Sequence, residues 1–437
     1  MRSPSANPHA PTTPAVTSAG SAPLQAWLTL LGLALRNLRR NLRRTLITAT
    51  AIGGGLGLVL VAVNMNEGTY KAMMDTAISA QAGHVVIQAA GYQADPDPLR
   101  LVAGARGVAE TARAVYPEAR VVQRSRIAGL LTSPANAVGA GLLAIEPSAE
   151  RAVTDTHTKL SAGEWLADDD DRGVVLGEEL ARRLKVGVGD KVVLMAQGEA
   201  EVSSRLLRVR GLLRTGAVEI DAGLAVTTLA CAQAFLERPD TANQISLHLP
   251  SAEGTGPMAA SLAGSLARAE LEVLDWEQAL PEVVEFIRAD RVNNAVTMGI
   301  IGIIVAIGVL NTVLMSVMER IREFGVMLAL GLPPRQIAAL IVLEGTLLGA
   351  GAAAAGLLLG VVLSWPLVTY GLDYSDMLGS ESFETAGVVI SSTLFATWDV
   401  GGMAGWTLAA WLMTILSTLW PAWTAARLSP VDAMRHV

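Results

Sequence analysis

The chain has 437 residues, 51% of them hydrophobic and 17% charged, with a mean hydropathy of +0.42 and a formal net charge of −7. That balance is too apolar and too poor in charge for an ordinary soluble domain, and the acidic excess argues against nucleic acid as a partner. A membrane protein is the class that remains.

Residues 1–23 are rich in Pro, Ser, Thr and Ala and lack the apolar core of a cleavable signal, so they read as a disordered cytoplasmic tail. The first membrane helix is then the targeting signal. Over residues 24–44, Leu24, Trp27, Leu31, Leu35, Leu38 and Leu42 recur at steps of three or four, and Arg crowds the second half. The pattern predicts an amphipathic helix in the inner membrane surface with its basic end near anionic headgroups, the alternative being a plain cytoplasmic extension of the first span.

Residues 45–66, 292–318 and 400–426 contain no Asp, Glu, Lys or Arg, and 336–372 are interrupted only by Glu344. Each can cross about 30 Å of hydrocarbon at about 1.5 Å per residue. The expected architecture is four transmembrane α-helices, at 45–68, 291–318, 336–372 and 400–426, with a large extracytoplasmic α+β domain, residues 69–290, inserted between helices 1 and 2. In the first span Gly53 and Gly57 have a small-xxx-small spacing that permits close helix packing, such as a dimer contact.

Orientation follows from the basic residues, which are retained on the cytoplasmic side of a span. Eleven Lys and Arg lie outside residues 67–291, and all are inside if both termini, including a tail at 427–437, and the segment 319–335 are cytoplasmic. The loop 373–399 has five acids and no base and belongs outside, with the large domain, whose segment between the flanking spans, residues 67–291, carries 22 bases and 31 acids.

Within that domain, short runs rich in Val, Ile, Leu or Thr beginning at Gly83, Val138, Lys191, Leu224 and Gln244 predict strands, and 99–115, 177–184, 230–236 and 257–269 predict helices. "GVGDK", from Gly187, reads as a tight connection, and the acidic run 168–171 as a solvated loop tip. Cys231 has no partner for an intramolecular disulfide and reads as a small buried apolar residue. The helix-like "WEQALPEVVEFIRADRV" from Trp276 runs into the second span as a stalk.

Catalytic machinery is not evident. A P-loop needs Gly before Lys, but Lys71, Lys159, Lys185 and Lys191 follow Tyr, Thr, Leu and Asp. The five His residues form no close pair of metal-ligand spacing, and no GxSxG elbow occurs. No catalytic residue, metal site or bound cofactor is therefore expected in this chain. Glu344, the one clearly intramembrane acid, reads as an acceptor of hydrogen bonds from a neighbouring helix or an Arg, or as a proton carrier; the lack of a second such acid favours the first.

One stretch is out of place among the spans. "MERIREFGVMLALGLPPRQ" sets Glu319, Arg320, Arg322 and Glu323, with Phe324 beside them, between two apolar segments, and Gly331, Pro333 and Pro334 then turn the chain. Such a segment cannot span, and its charges suit either docking of another protein or a loop that merely fixes orientation.

This stretch, followed by "EGTLLGAGAAAAGLLLG" and by the closing "PAWTAARLSPVDAMR", resembles the hallmark membrane segment of FtsX/MacB-type ABC transporter permeases. "GHVVIQAAGY", "GVVLGEELARRLKVGVGDKVVL" and "TGAVEIDAGLAVTTLACAQAFL" bring it nearest to the LolC/LolE lipoprotein-releasing branch. The resemblance implies a dimeric inner-membrane subunit, a second copy or a paralogous permease beside it, with a MacB-like periplasmic core domain. It implies a separate cytoplasmic ABC ATPase dimer, carrying ATP and Mg, that docks on Glu319, Arg320, Arg322, Glu323, Phe324, Gly331, Pro333 and Pro334. It further implies lipids or lipoprotein cargo and a periplasmic carrier or adaptor. A MacB-like efflux or secretion permease, an FtsX-like regulator of a cell-wall hydrolase and a plain membrane anchor are the other readings.

Overall fold

The computed structural model describes residues 22–95, 97–197, 202–252, 254–378 and 382–427. Apart from residues 22, 23 and 427, the expected tails at 1–23 and 427–437 lie outside the described residues. The chain divides into two compact units, one drawn from Met1–Val63, Val296–Leu363 and Asp399–Val437, the other from Asn64–Ala295 and Ser364–Trp398.

Four helices among the described residues are long and apolar enough to cross a membrane: Leu42–Ala82, Pro281–Glu319, Pro334–Thr369 and Val400–Ala426. The N-terminal helix Ala22–Arg40 is separate from the first of these, broken at Asn41, and packs Leu30 and Ala34 against Leu340 of the third.

Gly53 and Gly57 bring the first long helix against the third. A Cβ at Gly53 would lie 2.9 Å from the Ala352 carbonyl oxygen, and one at Gly57 2.8 Å from Leu359 Cδ2. Gly356 reciprocates, its missing Cβ 2.8 Å from Gly53 O. The close approach that the glycine spacing allows is made here within one chain. Small residues are selected because backbones in a membrane gain from direct van der Waals contact.

The first two long helices overrun the expected span limits. Glu67 and Arg291, the charges that bounded the spans in sequence, pair with each other at 3.0 Å, so neither ends its helix. Beyond them Tyr70, Met73 and Ala77 on one helix and Val283 and Ile287 on the other recur at helical spacing and enter a common buried cluster of the second unit.

That unit is built on ten hydrogen-bonded strands. An antiparallel sheet in the order Leu271–Asp275, Val85–Ala89, Gln244–His248, Arg120–Thr132 forms one half. The helices Ala105–Val115 and Thr255–Leu266 cover one of its faces. Arg120–Thr132 then pairs on with Ala137–Ile145, Leu224–Thr228, Gly173–Gly177, Val202–Leu213 and Lys191–Gln197, and the last returns to Arg120–Thr132. These six strands close a small barrel filled by residues such as Ile127, Leu142, Leu176, Val192 and Leu207. Closure removes the free edges that an open sheet would offer to other chains.

The five strands expected from sequence all form. The helix expected from residue 99 begins only at Ala105, because Val102–Ala103 pairs with Thr241–Ala242 and Gly104 adopts φ 67° ahead of it. The acidic run 168–171 is a largely exposed turn, in which Asp170 pairs with Arg210 at 2.7 Å and Asp171 with Arg205 at 3.0 Å. Cys231 is buried, its N–H donating to Thr228 Oγ1 at 3.0 Å at the start of a helix.

The connection 373–399 between the third and fourth long helices contains a β-hairpin. Ser382–Thr385 pairs with Val388–Ser391 across Ala386 and Gly387, both at positive φ (51° and 74°), as a two-residue hairpin turn demands. Val388 and Ile390 are buried with Tyr70, Met73 and Ala77.

Candidate coupling site

The polar turn after the second long helix is a built structure. That helix ends at Glu319, Arg320 breaks it with φ −109° and ψ 10°, and a nine-residue helix, Ile321–Ala329, follows. Its end is a Schellman motif: Leu332 N–H donates to Met327 O at 3.0 Å and Gly331 N–H to Leu328 O at 3.0 Å. Gly331 holds φ 92°, which a side chain would strain, and Pro334 is the first residue of the third long helix, where its missing N–H costs nothing.

The short helix has two faces. Ile321 and Phe324 point inward, Phe324 packing with Val317, Ile337 and Ala422. Arg322, Val326 and Leu330 point outward, Leu330 being 83% exposed, and Gly331, Pro333, Pro334 and Arg335 continue that exposed surface.

Arg320 belongs to the inner face. Its Nη1 donates to both oxygens of Glu344, at 3.1 and 3.0 Å, its Nε donates to Glu323 at 3.1 Å, and its guanidinium lies 5.1 Å from the Phe324 ring centre. Its side chain is only 8% exposed and that of Glu344 15%. Asn37 Nδ2 adds a third hydrogen bond to Glu344, at 2.5 Å. Arg40 donates to Glu323 at 2.6 Å, and Arg44 donates to Glu319 at 2.7 Å and to the Thr312 carbonyl. Burial works to raise the Glu323 carboxyl, but hydrogen bonds from Arg320 and Arg40 and their charges outweigh it and hold it below the usual range. A cavity of about 60 Å³ beside the Arg320–Glu344 pair leaves room for water.

Of the eight residues singled out in sequence, Arg322, Gly331, Pro333 and Pro334 therefore lie on the accessible surface. Arg320 and Phe324 are buried, and Glu319 and Glu323 are engaged by arginines of the same chain. The reason is electrostatic, because a guanidinium beside hydrocarbon needs a carboxylate partner, and Glu344 supplies it. Sequence reasoning missed Asn37, Arg40 and Arg44. Their spacing of three and four residues marks one side of a helical path, but Arg36, Arg39 and Arg43 repeat at the same steps, so sequence alone offers no signal to choose between the two sets.

Two family models match the chain. One, described as MacB-like periplasmic core domain, covers residues 45–264, and the other, FtsX-like permease C-terminal, covers residues 295–430. Among curated proteins the chain is similar to the lipoprotein-releasing system transmembrane protein LolC of Neisseria meningitidis serogroup B, 24% identical over 94% of this chain and 99% of that one. It is also similar to LolC of Xylella fastidiosa strain 9a5c, 27% identical over 92% of this chain and 97% of that one. The lipoprotein-releasing system transmembrane protein LolE of Haemophilus influenzae is 22% identical over 66% of this chain and 71% of its own length. With the first model alone matching just over half of the sequence, the chain belongs to the FtsX/MacB-type ABC transporter permeases.

Proposed function

We propose that the chain is the membrane subunit of an ABC complex that releases lipoproteins, or other lipid-linked cargo, from an inner membrane. A separate cytoplasmic ATPase dimer, holding ATP and Mg, docks on the short helix Ile321–Ala329 and the turn after it. Its closure moves the long helices, and the movement works the periplasmic domain by mechanotransmission. Two permease chains, identical or paralogous, make the membrane part, with both termini of each in the cytoplasm.

The observation that carries this reading is the division of the polar turn into a pinned face and a free one. Arg320, Glu323 and Glu344 fasten the short helix from within, while Arg322, Val326, Leu330, Pro333 and Pro334 are left outward. A rigid element with an exposed mixture of charge and apolar surface suits a docking surface, which needs fixed geometry, apolar anchors and steering charge. The first two long helices support the mechanical part, since each runs without a break through residues of both units.

The cargo is inferred from the relatives named lipoprotein-releasing. The test is reconstitution of the chain with its cognate ATPase in liposomes bearing an acylated lipoprotein. ATP-dependent transfer of that lipoprotein to a soluble periplasmic carrier is expected. Co-purification instead with an adaptor and an outer-membrane channel would favour an efflux or secretion permease, and binding of a cell-wall hydrolase would favour an FtsX-like regulator.

A further inference from the structure

The first long helix does not end on water. Its last turn, Ile78–Ala82, is π-helical and closed by Gly83 N–H donating to Ile78 O at 2.6 Å. The next amide, His84 N–H, is committed to Leu247 O at 2.8 Å, so the final carbonyls of the helix have no partner from their own backbone. Side chains from the sheet replace it. Arg124 Nη2 donates to Ser79 O at 2.9 Å and Arg126 Nη2 to Gln81 O at 2.9 Å. Gln244 Nε2 donates to Gln81 O at 3.1 Å and to Ala82 O at 2.9 Å.

These three residues share one face of the sheet by register. Gln244 lies opposite Arg124 on the neighbouring strand, and Arg126 follows Arg124 by two. Arg124 is fully buried, and Glu150 accepts from its Nη2 at 2.7 Å and its Nε at 3.1 Å. Buried ion pairs add little net stability over apolar packing, so their use at a joint points to a need for direction. The apolar neighbours Ala77, Ile78 and Ala82 resist separation of helix and sheet but not sliding, because hydrophobic contact is non-directional while hydrogen bonds are not. Cations at a helix C-terminus also complement its dipole.

We propose that Arg124, Arg126 and Gln244 form a clasp that fixes the end of the first long helix to the sheet, so that displacement of the helix is carried into the domain and not lost by slip at its terminus. They are positioning residues, and the source of the displacement rests on the function proposed above.

Two measurements test this on the intact chain, with R126M/Q244L chosen because it leaves the Arg124–Glu150 pair in place. In hydrogen exchange of the detergent-purified protein, the amides of Ile78–Ala82 should exchange at least about tenfold faster in the variant, with Val85–Ala89 unchanged; wild-type protection of that turn would overturn the clasp. In liposomes with the partner ATPase and a fluorescent triacylated lipopeptide, ATP hydrolysis should persist while lipopeptide released per ATP falls at least about fivefold, and R126K, which keeps a donor for Gln81 O, should retain release. Unchanged release per ATP, or hydrolysis falling in step with release, would also overturn it. A wild-type chain that releases no lipopeptide counts against the proposed cargo only, and the exchange result then decides the clasp.

Discussion

Arg320 and Glu344 are joined by two hydrogen bonds, of 3.1 and 3.0 Å, across 24 residues of sequence. The pair turns the charge that looked most exposed in the sequence, an Arg in a polar turn, into an internal fastening between the short helix and the third long helix.

Glu344→Leu should take the charged acceptor from Arg320 Nη1, leaving the buried guanidinium only its contact to Glu323, and lower stability by about 1–3 kcal/mol. Glu344→Gln keeps an acceptor for Arg320 and should cost clearly less, while R320M/E344L should recover part of the loss. Thermal unfolding of the detergent-purified chain checks the order; a glutamine variant as unstable as the leucine variant would contradict it.

Charge reversal should separate docking from folding. Arg322→Glu changes an exposed guanidinium for which no partner is seen among the described residues, so the chain should fold normally yet retain less ATPase on purification. Arg320→Glu places a carboxylate against Glu344 and should reduce the amount of folded chain itself. Equal loss of ATPase per folded chain in both variants would refute the division of the turn into two faces.

The glycine contacts predict a contrast between neighbours. A methyl group at Gly53 meets the Ala352 backbone oxygen at 2.9 Å, whereas at Gly54 nothing lies within 4 Å. Gly53→Ala should therefore cost about 1–3 kcal/mol through forced separation of the helices, and Gly54→Ala should be neutral or slightly stabilising. Melting temperatures of the two purified variants decide it, and equal values would show that the first and third helices do not pack this way.

In the α/β unit, His248 should make stability depend on pH. Burial, then the charges of Arg124 and His84, push its imidazole down to about 3, and its Nε2 has no hydrogen-bond partner among the described residues. An unfolded chain protonates the same group near about 6.5, so between these values the unfolded state binds more protons and stability rises with pH. Going from pH 7 to pH 5 should cost about 2 kcal/mol from this residue. Urea unfolding of the intact chain at both pH values measures the loss, and His248→Leu should reduce it; an unchanged pH dependence in that variant would exclude His248 as its source.

Apolar runs without charge were enough to find all four long helices, since exclusion of charge from hydrocarbon is a strong and local signal. Their ends were not legible, because Glu67 and Arg291 neutralise each other in the fold and local sequence cannot tell a paired charge from one that stops a helix. The strand Val202–Leu213 is hard to read in sequence although its burial alternates, because the outward Arg208 and Arg210 conceal Leu207 and Val209 within. Arg124–Glu150 lay beyond sequence reasoning altogether, as nothing local distinguishes a fully buried Arg from the exposed Arg126 two residues later. At the polar turn the kind of site was legible from composition and resemblance, but which charges face outward depended on Glu344, a residue of the next helix.

The most direct test of the account is the company the intact chain keeps in its native membrane. Purified in mild detergent through a tag on the full-length chain and quantified by mass spectrometry, it should carry a P-loop ATPase in amounts equal to the permease chains, and Arg322→Glu should deplete that ATPase without depleting the permease. A well-folded wild-type chain that retains no P-loop ATPase would contradict the account.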